Sequence, residues 1–166
     1  MEKSAPADAS SDLTLVITRT FDAPRERVFD AWLDANAIAQ WIGPRSVKAE
    51  AQLLEPRVGG RYRIWMRGGD GKGPMVGGSY REIKRPERLV LTWAWESDHP
   101  HGEKGHQTLI TLAFRTVGTK TEMTMRHESF ESKQSRDSHN QGWNASFDKL
   151  AEVLAGSLNG RPRAVW

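Results

Sequence analysis

The sequence predicts an α+β domain of order β-α-α-β6-α, a curved antiparallel sheet wrapped around a long C-terminal helix. Three observations carry this. Apolar residues alternate with period two over most of residues 46–128, and turn-forming clusters cut that stretch into six strands. Before it, a β-branched run is followed by two short helical patterns with start and stop signals. After it, residues 135–158 carry one wide apolar stripe at helical spacing.

Taken in order, "LTLVITRTF" (13–21) is β-branched and apolar and predicts the first strand. In "DAPRERVFDAWLD", Asp22 and Ala23 occupy a cap region and Pro24 suits a first helical turn. Val28, Phe29, Trp32 and Leu33 then recur on one face. Asn36 is the expected cap of a second short helix, "AIAQWI", which Gly43-Pro44 ends. "SVKAEAQLLE", "RYRIWMR", "MVGGSYREI", "LVLTWAW", "TLITLAF" and "TEMTMRHE" are the six later strands. Asp70-Gly71 marks a hairpin turn between the second and third of them. Short connections imply a meander, and strand twist curves it. A sheet with one apolar concave face needs a cover. The last helix, with Trp143, Phe147, Leu150 and Leu154 at spacings of four, three and four, is the element long enough to provide it.

Composition bounds the function classes. At 166 residues the chain fits one domain able to bury a core without staples. Residues 1–12 are small and polar and read as a disordered arm, residues 13–158 as the folded domain, and residues 159–166 as a tail. The absence of cysteine excludes disulfides and thiolate metal sites, which suits a reducing cytoplasm. The start has no apolar core segment of a secretory signal, and no apolar run approaches the roughly 20 residues of a membrane span. A cytoplasmic protein with no membrane partner is the expectation. The net charge is +3, with Arg57, Arg61, Arg63 and Arg67 as one local group. Arg61, Arg63, Trp65 and Arg67 share a strand face, which is expected to be a solvated outer surface rather than a nucleic-acid site. Trp65 there offers a homodimer contact, or a seat for the tail "NGRPRAVW".

The runs "RTFDAPRERVFDAWLDANAIAQWIGP", "VGGRYRIWMRGGDG", "GGSYREIKRPERLVLTW", "MRHESF" and "GWNASFDKLAEVL" resemble, in that order, the helix-grip START-like (SRPBCC) superfamily. Within it they are most similar to bacterial homologues of the C-terminal domain of the heat-shock-protein-90 ATPase activator. The resemblance spans about residues 13–156 and implies a helix-grip domain enclosing a hydrophobic cavity. It does not imply one reaction, because the superfamily includes carriers, receptors, cyclases and co-chaperones. No cofactor is expected.

Alternation then sketches the cavity lining. The sheet should offer Tyr62, Ile64, Met66, Tyr80, Trp93 and Trp95 from its first four meander strands. Ile110, Leu112, Met123, Met125 and His127 follow from the last two, and the helix adds Trp143, Phe147 and Leu150. An aromatic and methionine lining suits a small apolar ligand. The same residues could equally fill a solid core, and periodicity does not distinguish the two. Gly142, directly before Trp143, is expected to let the helix pass close to a strand or loop.

Chemistry-bearing residues are sparse. His127 points inward by alternation, and His139 lies one helical turn before Trp143; these are the weak candidates for acid-base catalysis. There is no nucleophile elbow and no cysteine nucleophile. His99, His101 and His106 in "DHPHGEKGH" are weak metal-ligand candidates without the spacing of a closed site. The loop "GGDGKG" lacks the phosphate-cradle spacing and context. The leading expectation is binding of a small hydrophobic or aromatic molecule, for carriage, sequestration or sensing. A cyclase- or dehydratase-type enzyme in the same cavity is the alternative. A co-chaperone role with a chaperone partner is third, since the chain lacks a stretch for the separate N-terminal domain of the eukaryotic activators.

Overall fold

The structure, a computed structural model, describes residues 12–96 and 104–158. The expected N-terminal arm apart from Asp12, the C-terminal tail, and His99 and His101 lie outside the described residues. Within them the expected element order is found. Strand β1 (Thr14–Phe21) precedes helices α1 (Arg25–Asp30) and α2 (Ala35–Trp41). Six strands follow: β2 (Lys48–Leu54), β3 (Arg61–Arg67), β4 (Met75–Lys84), β5 (Arg88–Trp95), β6 (Thr108–Val117) and β7 (Lys120–Glu128). Helix α3 (Lys133–Leu158) closes the described chain. The strands form one sheet, ordered β1-β7-β6-β5-β4-β3-β2, antiparallel at every pairing. The register shifts in β2 between Ala51 and Leu53 and in β4 between Tyr80 and Glu82, and such bulges bend a sheet. The α+β helix-grip architecture is therefore the fold of this chain.

Helix starts differ in detail from the sequence expectation. Asp34, not Asn36, caps α2, its carboxylate accepting the Ala37 N–H at 3.2 Å. Helix α1 begins after Pro24 with no side-chain cap; past Asp30 the Trp32 and Leu33 N–H groups bond three residues back, to the Phe29 and Asp30 carbonyls, so the apolar spacing continues to Leu33 in tighter turns. Helix α3 starts two residues earlier than expected, with Ser132 Oγ accepting the Ser135 N–H at 3.0 Å. None of the described helices is long and apolar enough to cross a membrane.

The short helices plug one end of the grip. Phe29 and Trp41 are fully buried, and Trp32 nearly so. Phe29 meets Phe114 of β6 edge-on at 5.2 Å, Trp32 meets Trp41 at 4.7 Å, and Trp41 reaches Phe147 of α3 at 6.1 Å. A helix of six or seven residues has almost no stability of its own, so these aromatic anchors hold α1 and α2 in place. On the outer face, Arg63 grips Glu96 through two hydrogen bonds of 2.8 and 2.9 Å, and Arg67 meets Glu50 at 3.1 Å. The Arg67 guanidinium also lies 4.9 Å from the centre of the Trp65 ring, whose N–H donates to the Gly73 carbonyl.

A candidate ligand cleft walled by three tryptophans

All fourteen residues expected to face inward from sheet and helix are buried. They do not share one hollow. A cleft of about 410 Å³ opens beside the N-terminal half of α3, and Met66, Trp93, Trp95 and Trp143 are the four of that set that border it. The other ten pack as core. Tyr62 donates its hydroxyl to the Thr92 carbonyl at 2.6 Å and leans on Tyr80 at 5.5 Å, and burial pushes both phenol pKa values up. Ile64, Ile110, Leu112, Met123, Met125, Phe147 and Leu150 are 3% exposed or less and sit among the aromatic residues of α1 and α2. The interior is solid where the aromatic residues of those helices reach it, and the cleft lies beside the segment that follows α2.

The rest of the cleft comes from places the strand pattern does not mark. Ile42, Gly43, Pro44 and Val47 of the segment after α2 form one side, and Pro74 before β4 adds to the rim. Helix α3 contributes Ser138, His139, Gln141, Gly142 and Ser146 besides Trp143, a set repeating every three to four residues and hence one face. The sequence signal for these was the helical period of the polar residues between the apolar ones.

Two histidines orient the three tryptophans. The N–H groups of Trp93 and Trp95 both donate to His139 Nε2, at 3.3 and 3.1 Å. That nitrogen is therefore an unprotonated acceptor, and His139 Nδ1 donates to the Ser135 carbonyl one turn back, at 2.8 Å. Trp143 donates to His127 Nδ1 at 3.1 Å. His127 Nε2 in turn donates to Thr108 Oγ1 at 2.7 Å, and that hydroxyl donates to the Trp93 carbonyl at 2.8 Å. Every member of this buried network has its partner. His127 is fully buried, and burial, with His139 nearby adding to it, holds its pKa well below the ordinary histidine value. With their polar edges tied inward, the three indoles leave apolar ring surface to the cleft. The rings pack on one another, Trp93 at 5.7 Å from Trp95 and 5.0 Å from Trp143.

The facing side is held by polar bonds to α3. Ser146 Oγ accepts the Gly43 N–H at 2.8 Å and donates to the Gly142 carbonyl at 2.9 Å. Lys149 points its ammonium toward the Ile42 and Pro44 carbonyls at 3.5 Å, and burial followed by the Arg45 charge lowers its pKa. Arg45 pairs with Glu152. The close approach expected at Gly142 is found instead at Gly43, which has a φ of +91° and where a Cβ would lie 2.6 Å from Val47 Cγ2. At Gly142 no atom lies within 4 Å of a Cβ position; the missing side chain leaves open cleft rather than a tight contact. Gly142→Ala is accordingly expected to stabilise the fold by about 0.5–1 kcal/mol, the helix-propensity difference, without steric cost. A lower thermal midpoint for that variant would contradict this geometry.

Among the metal candidates, His106 is described, and its Nε2 sits 2.7 Å from the Ser129 carbonyl and 4.0 Å from Glu131. Among the described residues no group of three His, Cys, Asp or Glu is placed to hold a metal ion.

The comparisons with known proteins agree with this architecture. The family model for the Activator of Hsp90 ATPase homolog 1-like protein matches residues 22–155. The chain belongs to that family. No curated protein sequence matches it. Among solved structures, a Chromobacterium violaceum protein superposes with a TM-score of 0.78 at 24% identity, covering 86% of this chain and 96% of its own. The AHSA1 protein of Silicibacter pomeroyi gives 0.76 at 24% identity, over 87% and 99%. An Arthrobacter aurescens protein solved by NMR gives 0.76 at 24%, over 88% of each. At that identity these neighbours carry the fold. The family match covers both short helices, the whole meander and α3 through Ala155, so all sides of the cleft fall within it.

Proposed function

We propose that this family member binds a small, mainly apolar molecule in the cleft between α3 and the ends of β3 and β5, as a carrier, a sequestering protein or a sensor. The observation that carries the reading is the wall of Trp93, Trp95 and Trp143, each with its N–H tied to a histidine. Walls fixed before a ligand arrives lose little entropy on binding, which favours affinity for a flat apolar molecule. The same bonds favour binding over cyclase-type chemistry, because His127 and His139 have both ring nitrogens engaged within the protein. A general base needs a free lone pair within reach of its substrate.

The test is native mass spectrometry of freshly purified protein, with Gly142→Phe as a variant that fills the cleft from an uncrowded position. The expected result is a co-purified small molecule, lost on denaturation and absent from the variant, whose circular dichroism stays native. An adduct retained in the folded variant would place binding elsewhere. No adduct, together with no uptake of an added naphthalene, would overturn the reading.

A further inference from the structure

The chemistry of the cleft walls also specifies the kind of molecule, an inference resting on the binding reading above. Among the described residues, none of the fourteen that border the cleft is Asp, Glu, Lys or Arg. The one titratable group among these described residues, His139, uses its Nε2 lone pair on two indole N–H groups and its Nδ1–H on a carbonyl. An ion brought against these walls would lose hydration and meet no counter-charge among the described residues, so they disfavour charged ligands. Lys149, the nearby ammonium of α3, faces the Ile42 and Pro44 carbonyls and does not border the cleft.

Hydrogen-bonding capacity is concentrated at one edge. Ser146 has its hydroxyl used in both directions, and the three wall indoles have donated their N–H groups. Ser138 and Gln141 border the cleft, and neither side chain has a hydrogen-bond partner among the described residues. Three residues apart on α3, they stand one above the other on the same face, next to the gap left by Gly142. We infer that the ligand is an uncharged, flat aromatic molecule whose ring lies against the indoles and whose single polar edge, a hydroxyl, amide or carbonyl, is read by Ser138 and Gln141. Its size is small, because about 410 Å³ is near the lower end of small-molecule sites.

Three probes on one skeleton test this by equilibrium dialysis at neutral pH: 2-naphthol, 2-methylnaphthalene and naphthalene-2-sulfonate. The expected order is naphthol first, methylnaphthalene second and sulfonate last, with naphthol about tenfold or more tighter than the sulfonate. In the Ser138→Ala/Gln141→Ala double variant, naphthol should lose its lead, about five- to tenfold, while methylnaphthalene binds as before. Neither substitution breaks a hydrogen bond among the described residues, so the fold is retained. A sulfonate bound as tightly as naphthol would overturn the inference and leave the binding reading standing, as would a naphthol lead that survives the double variant. Failure of all three to bind folded protein would remove the inference and the binding reading together.

Discussion

Truncating Trp41 to alanine is expected to cost the fold about 3–5 kcal/mol, the range for deleting a large buried aromatic side chain. Trp41 is fully buried at the end of α2, with its N–H donating to the Ala31 carbonyl at 2.9 Å. Its ring abuts Trp32 and Phe147, so the truncation empties a space between α2, α3 and the turn after α1 and leaves the Ala31 carbonyl without that donor. A seven-residue helix cannot offset such a loss by propensity. The measurement is the urea midpoint at constant m-value. A loss under about 1.5 kcal/mol would mean that the plug formed by α1 and α2 is not what closes this end of the grip.

Acid is expected to destabilise the protein through His127 as the pH falls below 6.5. His127 is fully buried and neutral, its Nδ1 facing the Trp143 N–H, so a proton there would set donor against donor. Burial, reinforced by His139 with ring centres 5.2 Å apart, depresses its folded-state pKa well below the 6.5 of an ordinary histidine. Below pH 6.5 the unfolded chain takes up a proton that the fold refuses. Stability therefore falls with falling pH, at up to about 1.4 kcal/mol per unit, and is fully present above that window. Urea midpoints at pH 7 and pH 5 measure the slope. His127→Gln, which cannot charge, should flatten it; an unchanged slope in the variant would assign the acid sensitivity to other groups.

Both effects turn on residues whose burial could be read from the sequence and whose partners could not. The alternation in "RYRIWMR", "LVLTWAW" and "TEMTMRHE" names which side chains face inward, because a strand sends successive side chains to opposite faces. Whether an inward residue borders a hollow or a neighbour is not local. Phe29, Trp32 and Trp41 arrive from α1, the turn after it and α2 and share one buried cluster with Ile110, Leu112 and Met123, and no pattern within β6 or β7 records that. Gly142 shows the same limit. A helix glycine signals a missing Cβ, and the space that Cβ would occupy is set by other elements. Gly43 was legible only as a helix end, although its left-handed backbone is what seats the segment against α3.

The sequence by itself determined the element order, the single sheet, the buried set and the family, because these rest on short-range periodicity and turn chemistry repeated along the chain. The tertiary structure alone decided where the hollow lies and what its walls can do. The histidine–tryptophan bonds that fix those walls join residues 46, 44 and 16 positions apart. Such pairings exist only once the sheet has curved and α3 has settled into it, bringing donor and acceptor to hydrogen-bond distance.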